Sequence, residues 1–333
     1  MIEKWANSKV LVTGAGGFIG SHLVEALIDL GCEVTAMIRY TSRSDWGNLE
    51  FLPEDKKARL LVVAGAVEDS HFVSGQIKGK DMVFHLAALI GIPYSYAAPQ
   101  SYIRTNVEGT INVLEAARDH GVFRIVHTST SEAYGTARYT PIDETHPLQP
   151  QSPYSASKIA GDMVADSFYR SFGTPVATVR PFNTYGPRQS ARAVIPTIIS
   201  QALNSSREEI RLGTLTPVRD LSFVKDTVQG FISIAQSDEA VGQITNLGAG
   251  KGITIGDLAA KILQVAGIDK PIVHDKGRDR PANSEVLELL ADSTKARTLF
   301  NWQPRYSLAE GLAETIEFVR QHPNFFKSGH YAV

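Results

Sequence analysis

The most restrictive feature of this 333-residue chain is a glycine-rich turn lying between a short apolar run and an amphipathic helix. Val10-Leu11-Val12 leads into Gly14-Ala15-Gly16-Gly17-Phe18-Ile19-Gly20, after which Ile19, Leu23, Leu27 and Leu30 recur at helical spacing until Gly31. Strand, tight turn and helix in that order make a phosphate-binding device. Gly14 permits the turn, Gly17 lets a pyrophosphate approach the backbone, and Gly20 lets helix and strand pack closely. The helix start at Phe18 and Ile19 then offers N–H donors and a positive dipole end to the phosphates. The same rhythm continues through Val34–Ile38, Leu60–Val63, Met82–Leu86, Arg124–His127 and Val176–Val179. Helical stretches separate these runs; one carries Ile111, Leu114 and Ala117 and ends at Gly121. Apolar strands buried on both faces and joined by helices require a parallel sheet. The chain is therefore expected to be α/β and doubly wound, with ligands at the carboxyl ends of its strands.

Beyond Arg180 the rhythm breaks at Pro181, Pro187, Pro196 and Pro217. Residues 1–180 are expected to form a dinucleotide-binding domain, completed by sheet segments from about 220–250, and 181–333 a smaller mixed α/β lobe for the substrate. Within that lobe Thr254 opens a helix carrying Leu258, Ile262 and Val265, and Ser307 with Glu310 forms a capping box. The tail from Gln321 to Val333 is expected to be loosely held. Composition narrows the function. The 33 basic and 35 acidic residues give a net charge of −2, against a nucleic-acid partner. A single cysteine, Cys32, excludes a disulfide framework within the chain, and no His, Cys and acid cluster suggests a metal. No apolar run reaches the ~18 residues of a membrane span, and the polar start lacks a signal-peptide core. A soluble cytoplasmic protein is expected.

Tyr154 and Lys158 stand four apart after Ser152-Pro153, a helix N-cap and first helical residue. That spacing puts both on one helix face, where an ammonium is expected to lower the phenol's pKa. Tyr154 then takes a hydroxyl proton while hydride leaves the same carbon for a nicotinamide. Thr130, Ser131 and Glu132 follow the fifth strand, where such a sheet places its ligand; Thr130 shares the proton and Glu132 is a second base. His85 and His127 read as hydrogen-bonded strand-end residues. The second strand ends in Arg39-Tyr40-Thr41-Ser42-Arg43 with no acid for a ribose 2′-hydroxyl. This favours NADP, through Arg39, over NAD held by backbone contacts.

In combination these motifs resemble the extended short-chain dehydrogenase/reductase family, the NAD(P)-dependent epimerases and dehydratases of nucleotide sugars. The resemblance spans nearly the whole chain. It rests on Gly14-x-x-Gly17-x-x-Gly20, His85-Leu86-Ala87-Ala88, Asn106 in Thr-Asn-Val-Glu-Gly-Thr, and Tyr154-x-x-x-Lys158. Arg180-Pro181-Phe182-Asn183, Tyr185-Gly186-Pro187-Arg188, Arg219-Asp220, Arg280-Pro281 and Trp302-x-Pro304 extend it. It implies a Rossmann-type sheet, a recycled NADP or NAD touching Leu86, Ala87, Ala88 and Asn106, and a homodimer through helices around 107–120 and 154–171. It further implies that Asn183, Arg219 and Arg280 hold the diphosphate of a nucleotide sugar, with Arg188 and Arg192 lining the same cleft.

Thr130-Ser131-Glu132 resembles the Thr-Asp-Glu of 4,6-dehydratases, and 87–96 and 189–196 resemble the N-acetylglucosamine-nucleotide dehydratases of legionaminic acid biosynthesis. The implied product from GDP- or UDP-N-acetylglucosamine is a 4-keto-6-deoxy sugar. Ser131 departs from the pattern at the acid that assists the 6-hydroxyl, and Gly65-Ala66 lacks the usual Asp that contacts adenine. The alternatives are a 4-epimerase, a UDP-glucuronate decarboxylase and, outside catalysis, a dinucleotide-sensing regulator.

Overall fold

In a computed structural model, residues 5–278 and 286–325 are described. The first half alternates strands β1 (Lys9–Thr13), β2 (Glu33–Ile38), β3 (Leu61–Ala64), β4 (Met82–His85), β5 (Arg124–Thr128) and β6 (Val176–Pro181) with helices. Those helices are α1 (Phe18–Asp29), α2 (Glu54–Lys57), α3 (Ser70–Ile77), α4 (Ile92–Ala97), α5 (Pro99–Ile103), α6 (Gly109–Asp119) and α7 (Pro153–Phe172). The second half adds the short strands β7 (Asn183–Tyr185), β8 (Ile210–Leu212), β9 (Val218–Phe223), β10 (Ile244–Leu247), β11 (Gly252–Thr254), β12 (Ile272–His274) and β13 (Glu288–Leu289). Its helices are α8 (Val194–Leu203), α9 (Val224–Gln236), α10 (Ile255–Ala266), α11 (Thr294–Phe300) and α12 (Leu308–Gln321).

Seven strands form one parallel sheet in the order β10-β6-β5-β4-β1-β2-β3. Val10, Leu11 and Val12 are wholly buried because both faces of the sheet are covered. Leu23, Leu27 and Ile28 of α1 join Phe231 and Ile232 of α9 on one face. Val73 and Ile77 of α3, Val113 and Leu114 of α6, and Phe168 of α7 cover the other. The direction of winding switches between β1 and β4, where Thr13 stands in register with His85. A ligand crevice belongs there. β9 is the centre of a small mixed sheet, antiparallel to β11 and parallel to β13 and β7.

Local signals placed the helix ends well. Ser152 caps α7 in a reciprocal box with Ser155, Thr254 caps α10, and Ser307 with Glu310 caps α12. One feature was not read from the sequence and one differs from expectation. Helix α5 passes into α6 through a π-helical turn at Arg104–Glu108 that inserts one residue per turn into the ladder. The tail is held as far as Phe325: Phe51 packs edge-on against Phe318 at 5.1 Å and Phe325 at 5.3 Å. Those rings bury apolar area against one another, which polar tail residues do not. The rest of the tail, 326–333, lies outside the described residues.

Candidate functional site

The glycine turn forms a cradle with no room for side chains. Gly14 has φ +69°, and a Cβ there would stand 2.8 Å from the Leu86 carbonyl carbon and the Ala87 nitrogen. A Cβ on Gly20 would come within 2.3 Å of the Gly14 carbonyl oxygen, and one on Gly17 within 3.1 Å. Gly17 is the N-cap of α1 and supplies no side-chain cap, so the N–H groups at Phe18, Ile19 and Gly20 face outward for an anion. Leu86 and Ala87 donate their N–H groups to Thr13 Oγ1 at 3.2 and 3.1 Å, which seats the start of the 86–91 loop, Ala88 included, beside the cradle. These residues fit a dinucleotide diphosphate. Arg39 and Arg43 are exposed beyond the end of β2 and pair with no carboxylate among the described residues.

Across the crevice, the Tyr154 hydroxyl faces the Thr130 side chain, which eases its ionisation. Thr130 also caps the 3₁₀ turn Ser131–Tyr134, accepting the Glu132 N–H at 3.2 Å. That turn buries Ser131 and leaves Glu132 half-buried, close enough to Tyr154 to oppose its ionisation. Tyr102 meets the Tyr154 ring edge-on at 6.3 Å. One expectation is corrected. The phenol's pKa is raised, not lowered, and the Lys158 ammonium donates to the Thr128 carbonyl at 2.6 Å. Burial lifts Tyr154 above the usual tyrosine range and outweighs the lowering effect of Thr130, while burial pulls Lys158 down to about 8.

Several residues do work that spacing did not reveal. Asn106 sits on the π-turn, and its amide is spent inside the protein. It accepts the Leu89 N–H at 2.8 Å and donates to Leu89 O at 3.0 Å and Ser157 Oγ at 2.9 Å. It therefore clamps the 86–91 loop to α7 and has no donor left for a cofactor. Arg180, grouped by its motif with substrate-side arginines, is wholly buried and pairs with Asp162 at 2.7 Å. His85 and His127 are strand-end residues as expected. His85 bridges Thr13 and Thr110, and His127 Nε2 lies 3.2 Å from Asp162.

On the substrate side, Asn183 lies on β7 with its Nδ2 buried and unpartnered. Arg219 lies buried on β9 and donates to the Val218 carbonyl at 3.0 Å. Arg192 is exposed beside Gly91 and Tyr102, at the mouth of the crevice. Arg188 is not brought to it. Its guanidinium is bound to Glu25 of α1 at 2.7 Å, and its backbone adopts φ +67°. The carbonyls of Pro187 and Arg188 are held by His22 and Asn48 at 3.0 Å each, so the whole turn is turned toward α1. Arg280 lies outside the described residues. Among the described residues no cluster of His, Cys, Asp and Glu is arranged to hold a metal, and no helix is long and apolar enough to cross a membrane.

Residues 11–315 match the family described as GDP-mannose 4,6 dehydratase. The chain belongs to that family. It is an enzyme of the nucleotide-sugar dehydratase and epimerase group, as its relatives show. It is 33% identical to a dTDP-glucose 4,6-dehydratase of Streptomyces antibioticus, over 94% of this chain and 92% of that one. It is 34% identical to a UDP-glucose 4-epimerase of Mycolicibacterium smegmatis, over 94% and 98%. The crystal structure of a dTDP-glucose 4,6-dehydratase from Streptomyces venezuelae, with NAD bound, superposes with a TM-score of 0.86 at 31% identity, covering 96% of this chain and 99% of that one.

Proposed function

We propose that this family member is a nucleotide-sugar 4,6-dehydratase that converts an NDP-N-acetylhexosamine, GDP- or UDP-N-acetylglucosamine, to its 4-keto-6-deoxy product. The pathway it serves is legionaminic acid biosynthesis. The observation that carries this reading is Glu132, set beside Tyr154 by the turn that Thr130 caps. Simple alcohol oxidation needs one proton acceptor; a second carboxylate at the same place suits removal of a carbon-bound proton.

Tyr154 accepts the 4-hydroxyl proton beside Thr130, and the Lys158 ammonium stabilises the phenolate that must precede this. NADP or NAD, held by the Gly14–Gly20 cradle and the start of α1, would supply the hydride chemistry, as acceptor at C4 and then as donor at C6. Glu132 removes the C5 proton that the 4-ketone has acidified and delivers it to the 6-hydroxyl, which departs as water; once C6 has been reduced, the enolate carbon C5 takes a proton from solvent. This double duty accommodates Ser131, which has no acidic proton to give. Asn183, Arg219 and Arg280 hold the diphosphate, and Arg192 lines the sugar end. Arg39 and Arg43 select NADP by pairing with a 2′-phosphate. The exposed apolar side chains of Phe123, Met163 and Phe172 near α6 and α7 suit the contact of a homodimer. We place the enzyme in the cytoplasm.

A second reading, a 4-epimerase, is favoured by Ser131 and by the M. smegmatis relative. One experiment separates them: incubation of the enzyme with GDP- and UDP-N-acetylglucosamine in deuterated water, followed by NMR. The proposal expects deuterium at C5 and a new 6-methyl signal. Inversion at C4 with no exchange at C5 assigns the epimerase, and a turned-over glucuronate with every hexosamine nucleotide intact rejects both.

A further inference from the structure

Asp162 lies one turn beyond Lys158 on α7, is wholly buried, and takes part in no step described so far. Its carboxylate is caged by donors from two strands. Oδ2 accepts from Ser129 Oγ at 2.6 Å and from Arg180 Nη2 and Nε at 2.7 and 3.2 Å; Oδ1 accepts from His127 Nε2 at 3.2 Å. Burial alone would raise this carboxyl, yet the bonds to His127 and Arg180 hold it at about 2, so it is charged at every working pH. The place of the cage is informative. His127 and Ser129 flank Thr128, whose carbonyl takes the Lys158 ammonium, and the next residue is Thr130, the partner of Tyr154.

Buried ion pairs contribute little net stability, because two charges leave water to form them. What this one does is geometric and electrostatic. We infer that Asp162, with Arg180 as its counter-ion, is a positioning residue that locks the Thr128–Thr130 strand end onto α7 and keeps Lys158 cationic beside Tyr154. The inference rests on the roles proposed above for Tyr154 and Lys158. Tyr154 stands one turn before Lys158 on α7 and Asp162 one turn after it; His85 of β4 and His127 of β5 act on Lys158 from the sheet, while Arg180 of β6 acts from behind Asp162. Burial holds both imidazoles below their ordinary range, hence neutral. Glu132 faces Tyr154, so Asp162 is the anion that answers the lysine.

The test is an NMR titration of the full-length protein with 13C-labelled lysine, the Lys158 signal being the one missing from Lys158→Arg. Asp162→Asn keeps an acceptor for Ser129 and Arg180 but loses the charge. The Lys158 midpoint is expected to fall by about one pH unit or more. If that variant does not fold, Asp162→Asn with Arg180→Met leaves no stranded charge and carries the same expectation. A folded variant whose Lys158 midpoint matches wild type overturns the inference. Since no sugar nucleotide is present, the titration stands apart from the proposed reaction. A shifted midpoint in an enzyme that turns over no hexosamine nucleotide supports this inference and sinks that reaction. An unshifted midpoint in an active enzyme does the reverse.

Discussion

Gly20→Ala places a Cβ 2.3 Å from the Gly14 carbonyl oxygen, and ordinary contact begins at 3.4 Å. The obstacle is backbone, so the turn or the helix must retreat by roughly 1 Å, and the cradle loses the spacing that lets a diphosphate meet the start of α1. A ligand at a hundred times its Kd stabilises the folded state by about 2.7 kcal/mol. With an unfolding entropy of ~2.1 cal/mol/K per residue, that is roughly 4 °C in Tm for a chain of this length. A hundredfold loss of affinity at the same concentration leaves about 0.4 kcal/mol, under ~1 °C. The assay is thermal unfolding of wild type and variant with and without NAD and NADP, checked by calorimetric titration. Gly75→Ala is the control: Gly75 is exposed on α3 with nothing within 4 Å of its Cβ position, so this change stabilises by ~0.5–1 kcal/mol and leaves the dinucleotide shift intact. A Gly20→Ala protein that shows the full wild-type shift with either dinucleotide would refute the packing argument.

Glu132→Gln should still show the near-ultraviolet absorbance of reduced nicotinamide on mixing with substrate, while 6-deoxy product falls ~10²–10⁴-fold; loss of the absorbance as well removes Glu132 from its assigned step. Asn106→Ala strands both polar groups of the Leu89 backbone, and a loss of about 2 kcal/mol is expected, with faster hydrogen exchange at the Leu89 amide; unchanged protection there refutes the clamp. Asp220 carries a pH signature. Burial raises its carboxyl to about 6 against the bonds from the Ala249, Gly250 and Ala291 N–H groups, so the native state binds its proton more tightly than the unfolded chain. Its contribution is greatest below the unfolded value of 3.8 and is lost as pH rises through about 6, a change of roughly 3 kcal/mol. The stability difference between wild type and Asp220→Asn should therefore vary between pH 4 and 7; a flat difference in a denaturant series counts against it. Alanine at both Arg39 and Arg43 should raise KM for NADP at least tenfold and leave NAD unchanged, and equal effects on both dinucleotides would withdraw the arginines from 2′-phosphate binding.

What was legible in the sequence is what depends on neighbours along the chain. The strands β1–β6, the glycine cradle, the caps at Ser152, Thr254 and Ser307, and the pair Tyr154–Lys158 all follow from spacings of a few residues. Pairings across the sheet do not. Arg180 looks like any arginine in a motif rich in phosphate ligands until β6 places it 2.7 Å from Asp162, and Arg188 until its turn meets Glu25 of α1. The three-residue strand β7 and the two-residue β13 exist because β9 offers them an edge, so neither has a period of its own to read. Lys158 shows the same limit in energy. Helical spacing gives its distance from the phenol, but the burial that dominates both side chains is a property of the folded interior.

The π-turn at Arg104–Glu108 has a consequence at the level of the gene. One extra residue in the ladder rotates everything after it by about 100° relative to an ordinary helix. Tyr102 before the turn faces Gly91 and Tyr154; Thr110 after it faces His85. Loss of a single codon within this stretch would restore regular pitch, a gain in local hydrogen bonding, and at once swing Thr110, Val113 and Leu114 off the sheet. The frame-preserving deletion that an exposed loop absorbs would here leave a better helix and a worse protein.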